Sequence, residues 1–133
     1  MSMEMKVEFT GGKRVDVSWG DLVVKTDQSV KAGGDGSAPE PYAYFLASLG
    51  ACAGIYVLGF CESRSIPVQG ISLTQKMEWE EKGGLKTIGL DIHVPKDFPE
   101  KYRSALVRVA DQCAVKRTIL NPPEFKIETV VDE

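Results

Sequence analysis

Twenty consecutive residues without a charge, from Tyr42 to Cys61, constrain the fold of this chain more than any other feature. A helix drawn through this stretch is apolar on every face, so it has to be buried. The stretch is also long enough to span a membrane. We favour a buried core helix over Pro41 to Arg64, because the stretch is rich in glycine and alanine and has no basic clusters beside it.

The composition is that of a soluble globular protein. The chain has 133 residues, 43% of them apolar and 26% charged, which suits a single domain spanning residues 1–133. Its formal net charge is -3 and its basic residues are dispersed, so we expect neither a nucleic acid nor a membrane as partner. The sequence begins without a basic segment followed by an apolar run, so the cytoplasm is the expected location.

Alternating apolar residues predict strands on both sides of the central helix. A glycine-rich loop over residues 26–38 precedes the helix, and an Asp97-led helix that continues through Cys113 follows it. The predicted strands cover residues 5–10, 14–19, 22–25, 71–81, 85–94 and 125–131.

The order of these elements predicts an α+β fold with antiparallel sheets packed against helices. Strands and helices do not alternate regularly, which argues against a parallel α/β sheet. One small sheet can cover only one side of an all-apolar helix. We therefore expect a homodimer, in which a second copy of the chain supplies the remaining cover.

The three cysteines do not form a structural disulfide framework if the protein is cytoplasmic. They also lack the spacing of a zinc site, and the single histidine, His93, is predicted to point outward from a strand. We expect no metal and no cofactor. Cys61 lies two and a half helical turns after Cys52 and faces the other way, so it is interpreted as a packing residue.

Cys52 and Cys113 form the candidate site. Cys52 lies in the middle of the central helix, with Ser48 and Tyr56 one turn away on the same face. Cys113 lies on the apolar face of the second helix, which has to pack on the first in so small a domain. The two thiols can therefore meet, although each on its own could be a small buried hydrophobe.

A reactive thiol also needs a nearby positive charge or a helix N-terminus. The middle of a helix supplies no dipole, so a cation has to be brought to Cys52. The candidates are Lys13 and Arg14 at the first hairpin turn, with Arg117 as a weaker third.

Two segments, GGDGSAPEPYAYFLASLGACAG and VADQCAVKRTILNPPEFKIE, resemble the OsmC/Ohr family of osmotically inducible and organic hydroperoxide resistance proteins. The resemblance implies an intertwined homodimer with antiparallel sheets packed on a long buried central helix and two sites at the interface. It also implies a thiol peroxidase of oxidative stress defence that reduces organic hydroperoxides. Cys52 would be the peroxidatic cysteine and Cys113 the resolving cysteine.

The chain departs from the hydroperoxide resistance branch at two positions. That branch has an arginine directly after the sequence TGG, where this chain has Lys13 followed by Arg14. It also has a glutamate after the proline eleven residues before the cysteine, whereas Glu40 precedes Pro41 here. Lys13 or Arg14 could therefore be the activating cation, and Glu40 is the candidate carboxylate partner.

Two functions fit the sequence. The first is a peroxidase in which Cys52 becomes a sulfenic acid, forms a disulfide with Cys113 and is reduced by an external dithiol. The second is a noncatalytic dimer that binds a small apolar or thiol-bearing ligand in the same pocket. A positive charge at Cys52 would distinguish the first from the second.

Overall fold

The computed structural model describes residues 1–133 and contains five strands and three α-helices. This is an α+β fold with antiparallel sheets and a long helix, as predicted. Short 3-10 helices occur at Val30–Ala32 and Glu100–Tyr102. The main elements are β1 (Lys6–Gly11), β2 (Arg14–Trp19), β3 (Leu22–Thr26), α1 (Pro41–Ser63), β4 (Ser72–Trp79), β5 (Leu85–His93), α2 (Arg103–Asp111) and α3 (Ala114–Leu120).

The chain divides into two compact units, Met1–Ala47 and Ser48–Glu133. Helix α1 begins in the first unit and continues through the second. The single-domain interpretation stays a prediction.

Strands β1, β2 and β3 of the first unit form an antiparallel meander with β2 in the middle. Val17 of β2 pairs with Val7 on one side and Val24 on the other, so the predicted alternation sets the register. The Tyr44 hydroxyl donates a hydrogen bond of 2.7 Å to the carbonyl of Lys25. The first turn of α1 is thereby tied to the end of β3.

The glycine-rich loop after β3 is organised by a buried carboxylate, Asp27. Its side chain accepts hydrogen bonds from the backbone N–H groups of Gln28, Asp35 and Ser37 and from the Ser37 hydroxyl. The Ser37 hydroxyl is the main cause that lowers the pKa of Asp27 to about 2. A Cβ at Gly34 would lie 2.2 Å from the Gln28 carbonyl oxygen, so this position requires glycine.

Helix α1 begins at Pro41 rather than at Pro39, the other proline that could open it, and the missing N–H of proline costs nothing at this position. In a single chain its burial is one-sided. The face around Ala51 and Ile55 stays exposed, and Ile55 keeps 58% of its accessible surface. By length and composition alone α1 could cross a membrane, but its apolar face forms the core of the second unit. The buried residues of α1 are Leu49, Ala53, Val57, Phe60 and Cys61.

The core of the second unit lies between α1, α2 and the antiparallel β4–β5 hairpin. Phe60 of α1 meets Tyr102 edge to face, with ring centroids 5.6 Å apart. The guanidinium of Arg64 lies over the Phe60 ring, 3.8 Å from its centroid. The buried residues of this core are Ala53, Val57, Phe60, Cys61, Phe98, Leu106 and Ala110.

The predicted second helix is interrupted, which corrects the sequence interpretation. Helix α2 ends at Asp111, and α3 begins at Ala114 after a break at Gln112 and Cys113. Cys113 has the extended backbone of a helix cap, with φ -47° and ψ 132°. The helical spacing of apolar residues continues to Cys113 because this residue is still buried, although it is no longer helical.

The predicted strand over residues 125–131 is wrong for the isolated chain, because no strand forms after Leu120. Alternating side chains give a segment two faces, but a strand also needs a neighbouring strand for its backbone hydrogen bonds. None lies beside this segment within the chain. Phe125 and Ile127 keep 80% and 95% of their accessible surface.

The homodimer stays a prediction, and two exposed apolar surfaces motivate it: the outer face of α1 and the alternating segment 125–131. We expect light scattering at micromolar concentration to give twice the chain mass of 14.6 kDa. A stable, folded monomer of that mass at the same concentration would contradict the prediction.

Cys61 is fully buried in the core, as predicted, and burial raises the pKa of its thiol. Cys61→Ala should lower the free energy of unfolding by about 1–2 kcal/mol, because it leaves a small cavity. Denaturant unfolding would measure this loss. The rate of hydroperoxide consumption should not change. A loss of activity as large as that of Cys52→Ala would overturn the assignment of Cys61 to packing.

Candidate functional site

Cys52 lies half-buried in the middle of α1, where hydrogen-bond donors from another part of the second unit surround its sulfur. The backbone N–H of Val115 is the largest cause that lowers the pKa of Cys52. The Cys113 thiol, the Ala114 N–H and the charge of Arg117 lower it further, while partial burial opposes them. The surroundings of Cys52 therefore favour the thiolate.

Cys113 lies at the N-terminus of α3 and is buried, with 2% of its surface exposed. Its sulfur accepts a hydrogen bond from the Lys116 N–H at 3.5 Å and lies 4.0 Å from the Leu49 carbonyl oxygen of α1. Its thiol also lies near Cys52 and lowers the pKa of that residue. The fold thus brings the two cysteines together, while their catalytic roles stay a prediction.

The start of α3 was missed by sequence reasoning, although its N–H groups are the main donors to Cys52. The first N–H groups of any helix lack a partner within the helix and carry partial positive charge. At Ala114 and Val115 these groups are directed at Cys52. Cysteine is not among the residues preferred as helix caps, so the sequence carries little signal for a helix start at Cys113.

Arg117 is the cation that the second unit places near Cys52. Its guanidinium donates a hydrogen bond of 3.1 Å to the Tyr56 hydroxyl, one turn along α1 from Cys52. Tyr56 therefore holds the Arg117 side chain on the face of α1 that carries the thiol. Sequence analysis predicted Arg117 to be a weaker candidate than Lys13 and Arg14. The position of Arg117 in the sequence does not show that α3 lies beside α1.

Lys13, Arg14 and Glu40 belong to the first unit, and their predicted role at Cys52 stays a prediction. Arg14 pairs with Asp35 at 2.8 Å, beside the turn between β1 and β2. The Glu40 carboxylate accepts a hydrogen bond of 3.1 Å from the Ser29 N–H. Both side chains thus contact the glycine-rich loop.

An apolar groove of about 670 Å³ lies in the second unit, with Cys113 in its wall. No group of three histidine, cysteine or acidic side chains is placed to hold a metal ion. Because most of its lining is apolar, the groove can hold an apolar molecule beside Cys113. Its apolar lining includes Leu49, Ala53, Leu85, Ile88, Leu90, Ile92, Val107, Ala110, Ile119 and Leu120.

Solved structures with the same fold come from several bacteria. A Psychrobacter arcticus protein, named provisionally as an osmotic stress induced and detoxification response protein, is 18% identical with a TM-score of 0.73, and the match covers 89% of each chain. An OsmC-like protein from Mycoplasma pneumoniae is 12% identical with a TM-score of 0.69, covering 92% of this chain and 89% of the other. The organic hydroperoxide resistance protein OsmC from Legionella pneumophila is 21% identical with a TM-score of 0.54, covering 87% and 88%.

At these identities the structural likeness shows the fold alone. A comparison with curated proteins finds no significant match. The family model described as OsmC-like protein matches residues 34–128, which include both Cys52 and Cys113. Because this match covers well over half of the sequence, the chain belongs to the OsmC-like protein family.

Proposed function

We propose that this protein is a thiol peroxidase that reduces organic hydroperoxides in oxidative stress defence. The observation that carries the proposal is the set of donors around the Cys52 sulfur: two backbone N–H groups at the start of α3, the Cys113 thiol and the charge of Arg117. A thiolate is the nucleophilic form of cysteine, and these groups favour it. Arg117 also provides the positive charge that distinguishes a peroxidase from a noncatalytic binding protein.

In the first step the Cys52 thiolate attacks the distal oxygen of the hydroperoxide, and the O–O bond breaks. The sulfur is oxidised to a sulfenic acid, and the alkoxide takes up a proton and leaves as an alcohol. The charge of Arg117 acts on Cys52, so the same guanidinium can stabilise negative charge that develops on the departing oxygen.

In the second step Cys113 attacks the sulfur of the Cys52 sulfenic acid. A disulfide forms and one water molecule leaves, so the oxidising equivalent of the hydroperoxide is stored in the S–S bond. The proximity of the two cysteines, which lowers the pKa of Cys52, supports this pairing. An external dithiol then reduces the disulfide and becomes oxidised itself, which returns both cysteines to their starting state.

The apolar groove beside Cys113 supports an organic hydroperoxide as substrate rather than hydrogen peroxide. Burying an apolar group in such a groove contributes roughly 25 cal/mol for each Å² removed from water. Hydrogen peroxide has no apolar part and gains nothing there. The printed name of the Legionella protein, an organic hydroperoxide resistance protein, supports the same substrate class.

The same groove also supports the alternative function, binding of a small apolar or thiol-bearing ligand without chemistry. In that case Cys113 would be a small buried residue in the wall of the binding groove, and Cys52 a half-buried neighbour without a chemical role. The two functions differ in what one equivalent of hydroperoxide does to Cys52.

We expect one equivalent of an organic hydroperoxide such as cumene hydroperoxide to convert the reduced protein to a Cys52–Cys113 disulfide. Cys113→Ser should stop at a sulfenic acid on Cys52, because the resolving thiol is absent, and dimedone should trap it. Cys52→Ser should consume hydroperoxide roughly a hundred-fold more slowly or not at all. Peptide mapping by mass spectrometry identifies each product.

Cys61→Ser serves as the matched control, since it removes a thiol from the same helix without touching the pair. It should form the Cys52–Cys113 disulfide as the unmodified protein does. If both cysteines stay reduced in the presence of hydroperoxide, the proposed peroxidase function is wrong and the binding function replaces it.

A further inference from the structure

Helix α3 is held in place at its first turn rather than by a buried face. It has seven residues, none of them buried, and Ile119 and Leu120 keep 45% and 71% of their accessible surface. Isolated helices of this length are unstable in water, so α3 depends on its links to the rest of the protein. These links lie at its first turn.

Three links join the first turn of α3 to α1, and two of them pass through the cysteines. The Cys113 sulfur caps the Lys116 N–H at 3.5 Å and lies 4.0 Å from the Leu49 carbonyl oxygen. The Cys52 sulfur accepts from the Val115 and Ala114 N–H groups. The third link is the hydrogen bond between Arg117 and Tyr56.

We propose that α3 is a redox-sensitive element, ordered against α1 while both cysteines are reduced and released when they form a disulfide. The inference rests on the proposed function, which supplies the disulfide. It adds a conformational difference between the reduced and oxidised proteins. The external dithiol would react with the oxidised protein, in which α3 is released.

Disulfide formation removes two of the three links at once. The two sulfurs have to approach to about 2.05 Å, closer than any hydrogen-bonded contact, so the Cys113 side chain has to turn from its capping position toward Cys52. Cys52 loses its negative charge in the same step. Its charge-assisted hydrogen bonds to Val115 and Ala114 weaken, because a neutral disulfide sulfur is a poor acceptor.

The Tyr56–Arg117 hydrogen bond survives oxidation. The disulfide itself ties Cys113 to α1, but it leaves the first N–H groups of α3 without a good acceptor, so it does not hold the helical residues that follow. A single exposed hydrogen bond contributes little to stability, so it cannot hold a seven-residue helix by itself. Helix α2 has a different anchor, because Leu106 and Ala110 are buried in the core. The release should therefore be confined to the chain after Gln112.

Hydrogen exchange of the full-length protein tests the inference. Diamide accepts two electrons and two protons from the pair of thiols, so it forms the disulfide without requiring peroxidase activity. Peptide mapping first establishes the Cys52–Cys113 disulfide. The amides of residues 115–121 should then exchange about ten-fold faster in the oxidised than in the reduced protein, whereas those of α2 should not change.

Two variants separate capping from oxidation. Cys113→Ser keeps an acceptor for the Lys116 N–H, so its α3 should stay protected with or without diamide. Cys113→Ala removes the acceptor, so its α3 should exchange faster even in the reduced state.

The outcomes distinguish this inference from the proposed function. A proven disulfide with unchanged exchange in α3 overturns the inference alone, as does full protection of α3 in Cys113→Ala. If hydroperoxide leaves the cysteines reduced but diamide links them and releases α3, the proposed peroxidase function is wrong and the inference about α3 stands. If neither hydroperoxide nor diamide links the cysteines, both proposals fail.

Discussion

The hydrogen bonds from the start of α3 to the Cys52 sulfur are the interaction on which the proposed chemistry depends. A thiol in the middle of a helix receives no help from the dipole of its own helix, since that field is confined to the ends. The chain supplies the missing hydrogen-bond donors and partial positive charge by bringing the N-terminus of α3 to the middle of α1. Cys113 ends up beside Cys52 because it is the residue that caps α3.

Helix α1 satisfies two demands that compete with each other. It has to be apolar enough to form the core of the second unit, yet it also has to leave room for the neighbouring strand β4. At Gly50 a Cβ would lie 2.5 Å from the side-chain oxygen of Gln75 on β4, so a larger residue there would require the Gln75 side chain to move. Glycine inside a helix costs about 1 kcal/mol relative to alanine, which burial of the core face offsets.

Local patterns in the sequence were enough to predict most of the fold. Alternating residues and glycine turns locate the first five strands, and the uncharged stretch locates α1. The segment 125–131 has the same alternation, but a strand needs a partner that the single chain does not provide. Backbone pairing of this kind depends on what lies beside a segment, and its sequence does not contain that information.

The candidate site was only partly predictable for a similar reason. Helical spacing placed Cys113 on a buried face, but the spacing is the same for a residue inside a helix and for one capping the next helix. Asp27 gives a second example, because a buried carboxylate in a glycine-rich loop cannot be distinguished by sequence from a solvated one. Its burial follows from N–H groups up to ten residues away that converge on it.

The central claim, that α3 and Arg117 make Cys52 a thiolate, is tested most directly by its pKa. Ultraviolet absorbance of the thiolate against pH, taken as the difference between the unmodified protein and Cys52→Ser, isolates this group. The account predicts a midpoint below the ordinary cysteine value of about 8.5. Because the folded-state pKa is depressed, the thiolate stabilises the fold fully above the unfolded pKa, and this stabilisation is lost as the pH falls through the folded pKa.

Arg117→Gln should move the midpoint upward, whereas Arg108→Gln, an exposed arginine of α2, should leave it unchanged. A Cys52 midpoint at or above the ordinary value in the unmodified protein would contradict the account.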